Sequence, residues 1–338
     1  MNDIEQITTA LSQHGYEYIK TIGNGASSKV FLCKSEKYNH LFAIKCVENN
    51  TLKSSEYNAL ASLNHPYIIK LYKSFQDHDL DFLVMEYCPN DTLKHKKKLD
   101  YNKFVYYAKQ ILEALSYCHS QKIAHRDIKP DNIFLDNYDH VKLADFGLSK
   151  YFEPNKTSNE KCGSLMYSSP EMINQIPFDP FRADIWSLGI TFFYMATGKF
   201  PFSAKTYDDL LRLVKFGQIN FSNVEINLSI KSLIQKMTSK NPKFRPTVDE
   251  ILKLPIFNEY KAPRLAKIVS MGQIYTRGKT SRDKHCLYKP SSSFSDDQED
   301  ENIPLSRSHT YKSAITHSFL IHKNVSSESL LIHNQEKQ

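Results

Sequence analysis

The six cysteines of this chain, Cys33, Cys46, Cys88, Cys118, Cys162 and Cys286, never stand as a C-x-x-C pair. That spacing argues against a zinc site. Together with the lack of an apolar run in the opening MNDIEQITTALSQHG, it leads us to expect a reducing cytoplasmic setting, or a nuclear one. No segment reaches the roughly 20 consecutive apolar residues of a membrane span, and the longest, WSLGITFFYMA, is the length of a buried helix. There is no D-x-D-x-D-G loop of an EF-hand, and no internal repeat of fixed period. The one compact basic run, KHKKK at Lys94 to Lys98, has no interleaved aromatics. It reads as a solvated face or turn, or as a docking patch for acidic partners. Neither nucleic acid nor membrane is expected as a partner.

What is present is an ordinary globular composition, 41% hydrophobic and 24% charged, with a net charge of +7 spread along 338 residues. That length supports one large domain or two lobes. Composition changes near residue 260, where KPSSSFSDDQEDE and NVSSESLL offer few core-forming residues. We therefore expect a folded part from about residue 12 to about residue 260 and a largely disordered tail.

The first part of the folded region is strand-like, in YEYIKTIG, SKVFLCKS, HLFAIKCV, IIKLYKSFQ and DFLVMEYC, with one helical segment, SSEYNALASLNH, between the third and fourth. The second part is helical: YNKFVYYAKQILEALSYCHSQ puts Phe104, Ala108, Ile111, Leu112 and Leu115 on one face. The fold class is α+β: a small antiparallel lobe, a larger helical lobe, and a cleft between them suited to a ligand.

Gly23 and Gly25 in TIGNGASSKVF lie between two strands, so the chain turns there without bulky side chains. The turn is an ordinary hairpin or a cover for phosphates. A dinucleotide fold requires a helix next, and a strand follows instead. In HLFAIKCV the strand period places Ala43 and Lys45 on one face. An ammonium inside an apolar strand needs an anion, and Glu56, which shares a helix face with Leu60 and Leu63, can supply it. Both residues at solvated positions is the alternative.

The informative stretch is HRDIKPDNIFLDNYDHVKLADFG. Two short strands, IFL and VKLA, around the turn DNYDH form a hairpin whose open ends bring Asn132 and Asp145 together. Two hard oxygen ligands at one point suit Mg2+ completed by substrate phosphates. Asp127 and Lys129 enter the same place, an acid able to accept a hydroxyl proton and a cation for a transferring phosphoryl group.

In these motifs, in their order and spacing, the chain resembles the eukaryotic protein kinases: the Gly-rich loop with Val30, Ala43-Ile44-Lys45, His125-Arg126-Asp127 with Lys129 and Asn132, Asp145-Phe146-Gly147, and Ser169-Pro170-Glu171. The likeness covers about residues 16–257. It implies a bilobal kinase domain at 16–257, split into 16–87 and 88–257, between an N-terminal extension 1–15 and the tail 258–338. The cofactors it implies are ATP and Mg2+. Ile22, Gly23, Gly25, Val30, Ala43 and Phe134 would enclose the nucleotide, the backbone of Glu86 and Cys88 would bind adenine beside Met85, and Lys45 paired with Glu56 would hold phosphates. Asn132 and Asp145 would carry Mg2+, Asp127 would be the base, and Lys129 would steady the γ-phosphate. Leu60, Leu71, His125 and Phe146 would stack as a spine, Asp184 would anchor the catalytic loop, and Glu171 would pair with Arg245. Lys129 and Ser164 favour serine or threonine in protein substrates as the acceptor. DFGLSK, KCGS and ADIWSLG are most similar to the calmodulin-dependent kinase group, and an intracellular signalling role is expected.

Ser28 stands in place of a third glycine, and Leu165 in place of the proline common after CGS. A folded scaffold that binds partners and transfers nothing usually loses the lysine, the base or a metal ligand, and none is lost here. The full segment Gly163 to Glu171 disfavours a kinase of small metabolites. Arg126 would grip an anion on the loop NKTSNEKCGSLMYSSPE, where the residue at the usual phosphorylated position is Glu160. We expect partial constitutive activity, with Thr157 or Ser158 as additional targets of an upstream kinase. In the tail, RLAKIVSMGQIYTRGK reads as a calmodulin target, a self-inhibitory segment or a linker, and SFSDDQED as an acid-directed phosphorylation site or a linker. Asp131, beside the catalytic loop, suggests tolerance for basic residues near the acceptor.

Overall fold

The computed structural model describes residues 3–25, 28–48, 55–153, 156–160 and 162–258. Both tail motifs lie outside the described residues.

Helix α1 (Asp3–Gln13) opens the chain, followed by strands β1 (Tyr16–Asn24), β2 (Ser28–Ser35) and β3 (His40–Glu48), helix α2 (Ser55–Ser62), and strands β4 (Leu71–Asp77) and β5 (Leu80–Glu86). The strands form one antiparallel sheet in the order β1-β2-β3-β5-β4. Period-two alternation gives the sheet two different faces. Phe31, Cys33, Phe42, Ile44, Cys46, Phe75, Phe82 and Val84 share one core, while Val30, Ala43 and Lys45 remain half-buried on the strands between.

Sequence reading treats residues 1–15 as an extension, and α1 is instead part of that core. Ile7, Ala10 and Leu11, spaced to share a helix face, are buried with the sheet's aromatic residues. Gly15, at φ +80, ends the helix in the left-handed conformation a glycine accepts without strain.

The second lobe is built on α3 (Tyr101–Ser120) and α5 (Pro180–Thr197). Asp100 caps α3 through the Lys103 N–H, and Asp179 caps α5 through Phe181 and Arg182. Helix α5 is apolar on every side and buried along nearly its whole length, as a helix through the middle of a lobe must be. Around these pack α4 (Pro170–Ile173), α6 (Tyr207–Phe216), α7 (Leu228–Met237), α8 (Val248–Leu252) and α9 (Pro255–Asn258). Four short strands, β6 (Ile123–Ala124), β7 (Ile133–Leu135), β8 (Val141–Leu143) and β9 (Lys150–Tyr151), pair as β6 with β9 and β7 with β8. No helix is long and apolar enough to cross a membrane among the described residues.

Candidate active site

The β7–β8 hairpin does what its sequence predicts. Ile133 pairs with Leu143, and just beyond the pair the Ala144 N–H donates to the Asn132 carbonyl at 2.9 Å. Asp145, next in the chain, thus arrives beside Asn132.

Asp127 is buried and held from several directions. Lys129 Nζ lies 2.6 Å from its Oδ2, Asn132 Nδ2 donates to the same oxygen at 3.0 Å, and the Ser164 N–H donates to Oδ1 at 3.1 Å. Lys129 also donates to Ser164 Oγ at 2.9 Å, so one cation spans the carboxylate and the following loop. Burial works against the Lys129 charge, but Asp127 and Asp145 outweigh it and raise its pKa above the usual lysine range.

The loop that carries Asp127 is fixed from behind. Arg126 adopts φ 69, unusual for a residue with a side chain. The Asp184 carboxylate on α5 holds that backbone: it accepts the His125 N–H at 2.9 Å, the Arg126 N–H at 2.8 Å and His119 Nε2 at 3.0 Å. Gly163 closes against the same turn at φ +81, where a Cβ would sit 2.6 Å from the Arg126 carbonyl, so only glycine fits.

From the other lobe, Lys45 Nζ lies 2.8 and 2.7 Å from the two Glu56 oxygens and 3.4 Å from Asp145 Oδ1. Desolvation opposes the Lys45 charge, but Glu56 and Asp145 hold the side chain protonated. Burial raises the Asp145 pKa, and Lys45, Lys129 and His125 more than reverse it, so the carboxyl stays below its ordinary range. Its side chain is nevertheless 45% exposed. Behind it Phe146 meets His125 with ring centroids 4.7 Å apart and planes tilted by 57°, and Phe146 shares one cluster with Leu60 and, at its margin, Leu71.

The donor set fits Mg2+. With Asn132 Nδ2 bonded to Asp127, the amide oxygen is the atom left for a cation, and Asp145 adds an exposed carboxylate. No larger cluster of His, Cys, Asp or Glu competes for a metal among the described residues. A nucleotide would meet Val30, Ala43 and Phe134, all half-buried, and the exposed Ile22. Gly23 pairs with Val30 across the first hairpin, and the Gly25 N–H donates to the Ser28 carbonyl at 2.7 Å. At the hinge the Glu86 N–H is bonded to the Lys70 carbonyl at 2.9 Å, so Glu86 offers a base its carbonyl, while Cys88 follows in a buried position.

In the loop before Gly163, Glu160 has found partners. Arg126 Nη2 lies 2.9 Å from Oε2 and Lys150 Nζ 2.7 Å from Oε1, and the Arg126 Nε–H points at Cys162 Sγ, 3.0 Å away. Lys150 lowers the Glu160 pKa, and Arg126 adds to that effect against a smaller cost of burial. Sequence reasoning found Arg126 and missed Lys150, whose only signal was its position after Asp145-Phe146-Gly147. Thr157 and Ser158 differ: Thr157 is exposed, whereas Ser158 is buried, and its backbone bridges Phe178 at 2.9 and 3.0 Å. Of the two hydroxyls, Thr157 is the one open to modification. The expected pair of Glu171 and Arg245 is present and buried, with contacts of 2.6 and 2.8 Å.

Comparison with known proteins agrees with this geometry. A family model described as the protein kinase domain matches residues 16–257. Sperm motility kinase 2B of Mus musculus is 34% identical over 252 residues, 72% of this chain and 52% of its own length. NUAK family SNF1-like kinase 1 of Homo sapiens is 31% identical over 251 residues, 71% of this chain and 38% of its own. Probable serine/threonine-protein kinase HSL1 of Saccharomyces cerevisiae is 30% identical over 318 residues, 79% of this chain and 21% of its own. The chain thus spans about half the length, or less, of these relatives. A family model that covers most of the chain, on a fold whose two lobes meet at Lys45, Asp127 and Asp145, assigns the chain to the protein kinase family.

Proposed function

We propose that the chain is a serine/threonine protein kinase that transfers the γ-phosphate of ATP to hydroxyls of protein substrates. The observation that supports this most directly is the position of Asp127, fixed between Lys129, Asn132 and Ser164 opposite a closed Lys45–Glu56 pair. Asp127 accepts the proton of the acceptor hydroxyl as its oxygen bonds to the γ-phosphorus, and the bond from that phosphorus to the β–γ bridging oxygen breaks to release ADP. Lys129 neutralises charge on the transferring group, and Lys45 holds the phosphates upstream of it. Asn132 and Asp145 would hold Mg2+, which would supply neutralisation of the phosphate charge. The Gly-rich turn and the hinge carbonyl of Glu86 orient the nucleotide.

Protein kinases in general use ATP and Mg2+. For this chain the ligand assignments rest on Lys45, Asn132 and Asp145 occupying the matching places. We further propose that Glu160 provides the loop's anion, so that transfer proceeds without loop phosphorylation, and that Thr157 serves as the target of an upstream kinase that raises the rate.

The test is transfer from ATP to a mixed Ser, Thr and Tyr peptide library, with phosphatase-treated protein, Mg2+ and no calmodulin, beside Asp127→Ala. Transfer to Ser and Thr peptides that vanishes in the variant is expected. Transfer that survives in Asp127→Ala would overturn the role given to Asp127. No transfer before or after phosphorylation at Thr157 would overturn the kinase reading.

A further inference from the structure

An acid that follows the catalytic base by four residues already has a cationic partner. Asp131 lies in the 3-10 turn Pro130–Asn132, two residues after Lys129. Read from sequence alone, it should attract basic residues beside the acceptor. In the structure Lys94 Nζ lies 2.5 Å from Asp131 Oδ1. Lys94 belongs to the 3-10 turn Leu93–His95, anchored by the buried Leu93 on one side. On the other, the Tyr194 hydroxyl of α5 donates to the Lys94 carbonyl at 2.5 Å. Two anchored turns therefore present this pair. The pair also lies near the chemistry: the charge of Asp131 acts on Lys129 and on Tyr167, which both feel Asp127 as well.

The pair stands beside the run Lys94 to Lys98, only part of which is paired. His95 lies 3.0 Å from Asp91, and Lys98 lies 3.2 Å from Glu225. Lys97 and Lys199 are exposed and form no ion pair among the described residues. Lys199 follows Gly198, where a Cβ would lie 3.2 Å from the Lys98 nitrogen, so the end of α5 extends the basic edge. Each exposed charge contributes little alone, but several of one sign beside a cleft act together on an incoming segment.

Resting on the kinase reading above, we propose that this edge makes the enzyme select Ser/Thr acceptors flanked by acidic residues: Lys94 cancels Asp131, while Lys97 and Lys199 supply the attraction. The occupant is an acidic segment of a protein substrate. The basic run thus acts as a specificity element, and Asp131 does not serve as a receptor for basic residues.

The test compares two peptide sets that place Asp/Glu or Arg within four residues of a single Ser, using transfer rates and, separately, the fluorescence anisotropy of labelled peptides. Wild type should favour the acidic set by about tenfold, the combined effect of two or three exposed charge pairs. Lys94→Ala, which frees Asp131, should shift the ratio several-fold toward Arg, and Asp131→Asn added to it should reverse that shift. A wild-type preference for the Arg set, or a ratio that Lys94→Ala does not move, would overturn the proposal. Binding of acidic peptides without any transfer would sink the kinase reading and leave only the edge's attraction for acidic segments standing, and transfer without acidic preference would sink the proposal and keep the kinase reading.

Discussion

Glu160 and Arg126 meet across the loop in front of the catalytic turn, 2.9 Å apart, with Lys150 closing the other carboxylate oxygen at 2.7 Å. A carboxylate carries one charge where a phosphate carries nearly two. Arg126 is nevertheless only 6% exposed in its side chain, so the single charge it meets matters more than it would on open surface. Glu160→Ala should lower kcat/KM about tenfold in peptide assays, and Lys150→Ala by less. A Glu160→Ala variant as active as wild type would show that the loop needs no anion. The sign of the pH effect follows from the depressed Glu160 pKa. The ordering it provides is complete above its ordinary value of 4.5 and is lost as pH falls below that through the folded value. Near neutral pH the loop should therefore hold its shape, and proteolytic clipping within it should rise only in acid.

The pair of Lys45 and Glu56 offers a second handle, because Glu56 bonds Lys45 through both oxygens. Glu56→Gln keeps the shape and removes the charge. Loss of one charge-assisted contact of ~1.5–3 kcal/mol should cut kcat/KM by about tenfold to a hundredfold. The melting temperature should change little, and steady-state kinetics beside a thermal melt separates the two effects.

Arg245 and Glu171 form a buried bidentate pair, 0% and 4% exposed. Removing one partner leaves the other charge buried, at a cost of about 3–5 kcal/mol. Arg245→Met should lower the midpoint of urea unfolding, and the double variant Arg245→Met with Glu171→Met should recover part of the loss. A single variant as stable as wild type would show that solvent already reaches Glu171.

Lys240 sits over the Trp186 ring, 4.9 Å from its centroid. Burial, and Arg245 after it, lower the Lys240 pKa from 10.5 to about 8, with Glu171 opposing them. Between these values the unfolded chain holds more protons than the folded one, so the Lys240 contribution to stability rises with pH across that window. Lys240→Met should flatten this part of the stability profile relative to wild type. Parallel profiles from about pH 8 to about pH 10 would argue against the shift.

The parts of this site that lie on regular elements are legible from sequence. Lys45 follows from the period of β3, Glu56 from the face it shares with Leu60, and the meeting of Asn132 with Asp145 from two strands and a turn. Lys150 on Glu160 and Lys94 on Asp131 were not legible, because each joins residues of separate segments whose approach no local period records. The burial of Ser158 was hidden for a related reason. Its partner Phe178 lies on the far side of the loop, and only the folded backbone brings the two carbonyls and amides into register. For α1 the signal was present in Ile7, Ala10 and Leu11, but one short amphipathic stretch does not say which surface it covers.

Helix α1 also separates two boundaries that are easily taken as one. The family match begins at residue 16, whereas the aromatic core beneath β1 to β5 is completed by Ile7, Ala10 and Leu11. A shortened chain starting at Tyr16 would keep every catalytic motif and still remove Ile7, Ala10 and Leu11 from the aromatic core. The inherited unit of the family and the cooperative unit of this chain thus differ by one helix. Ancestry marks where the shared chemistry starts, and the water-excluded interior reaches one helix further.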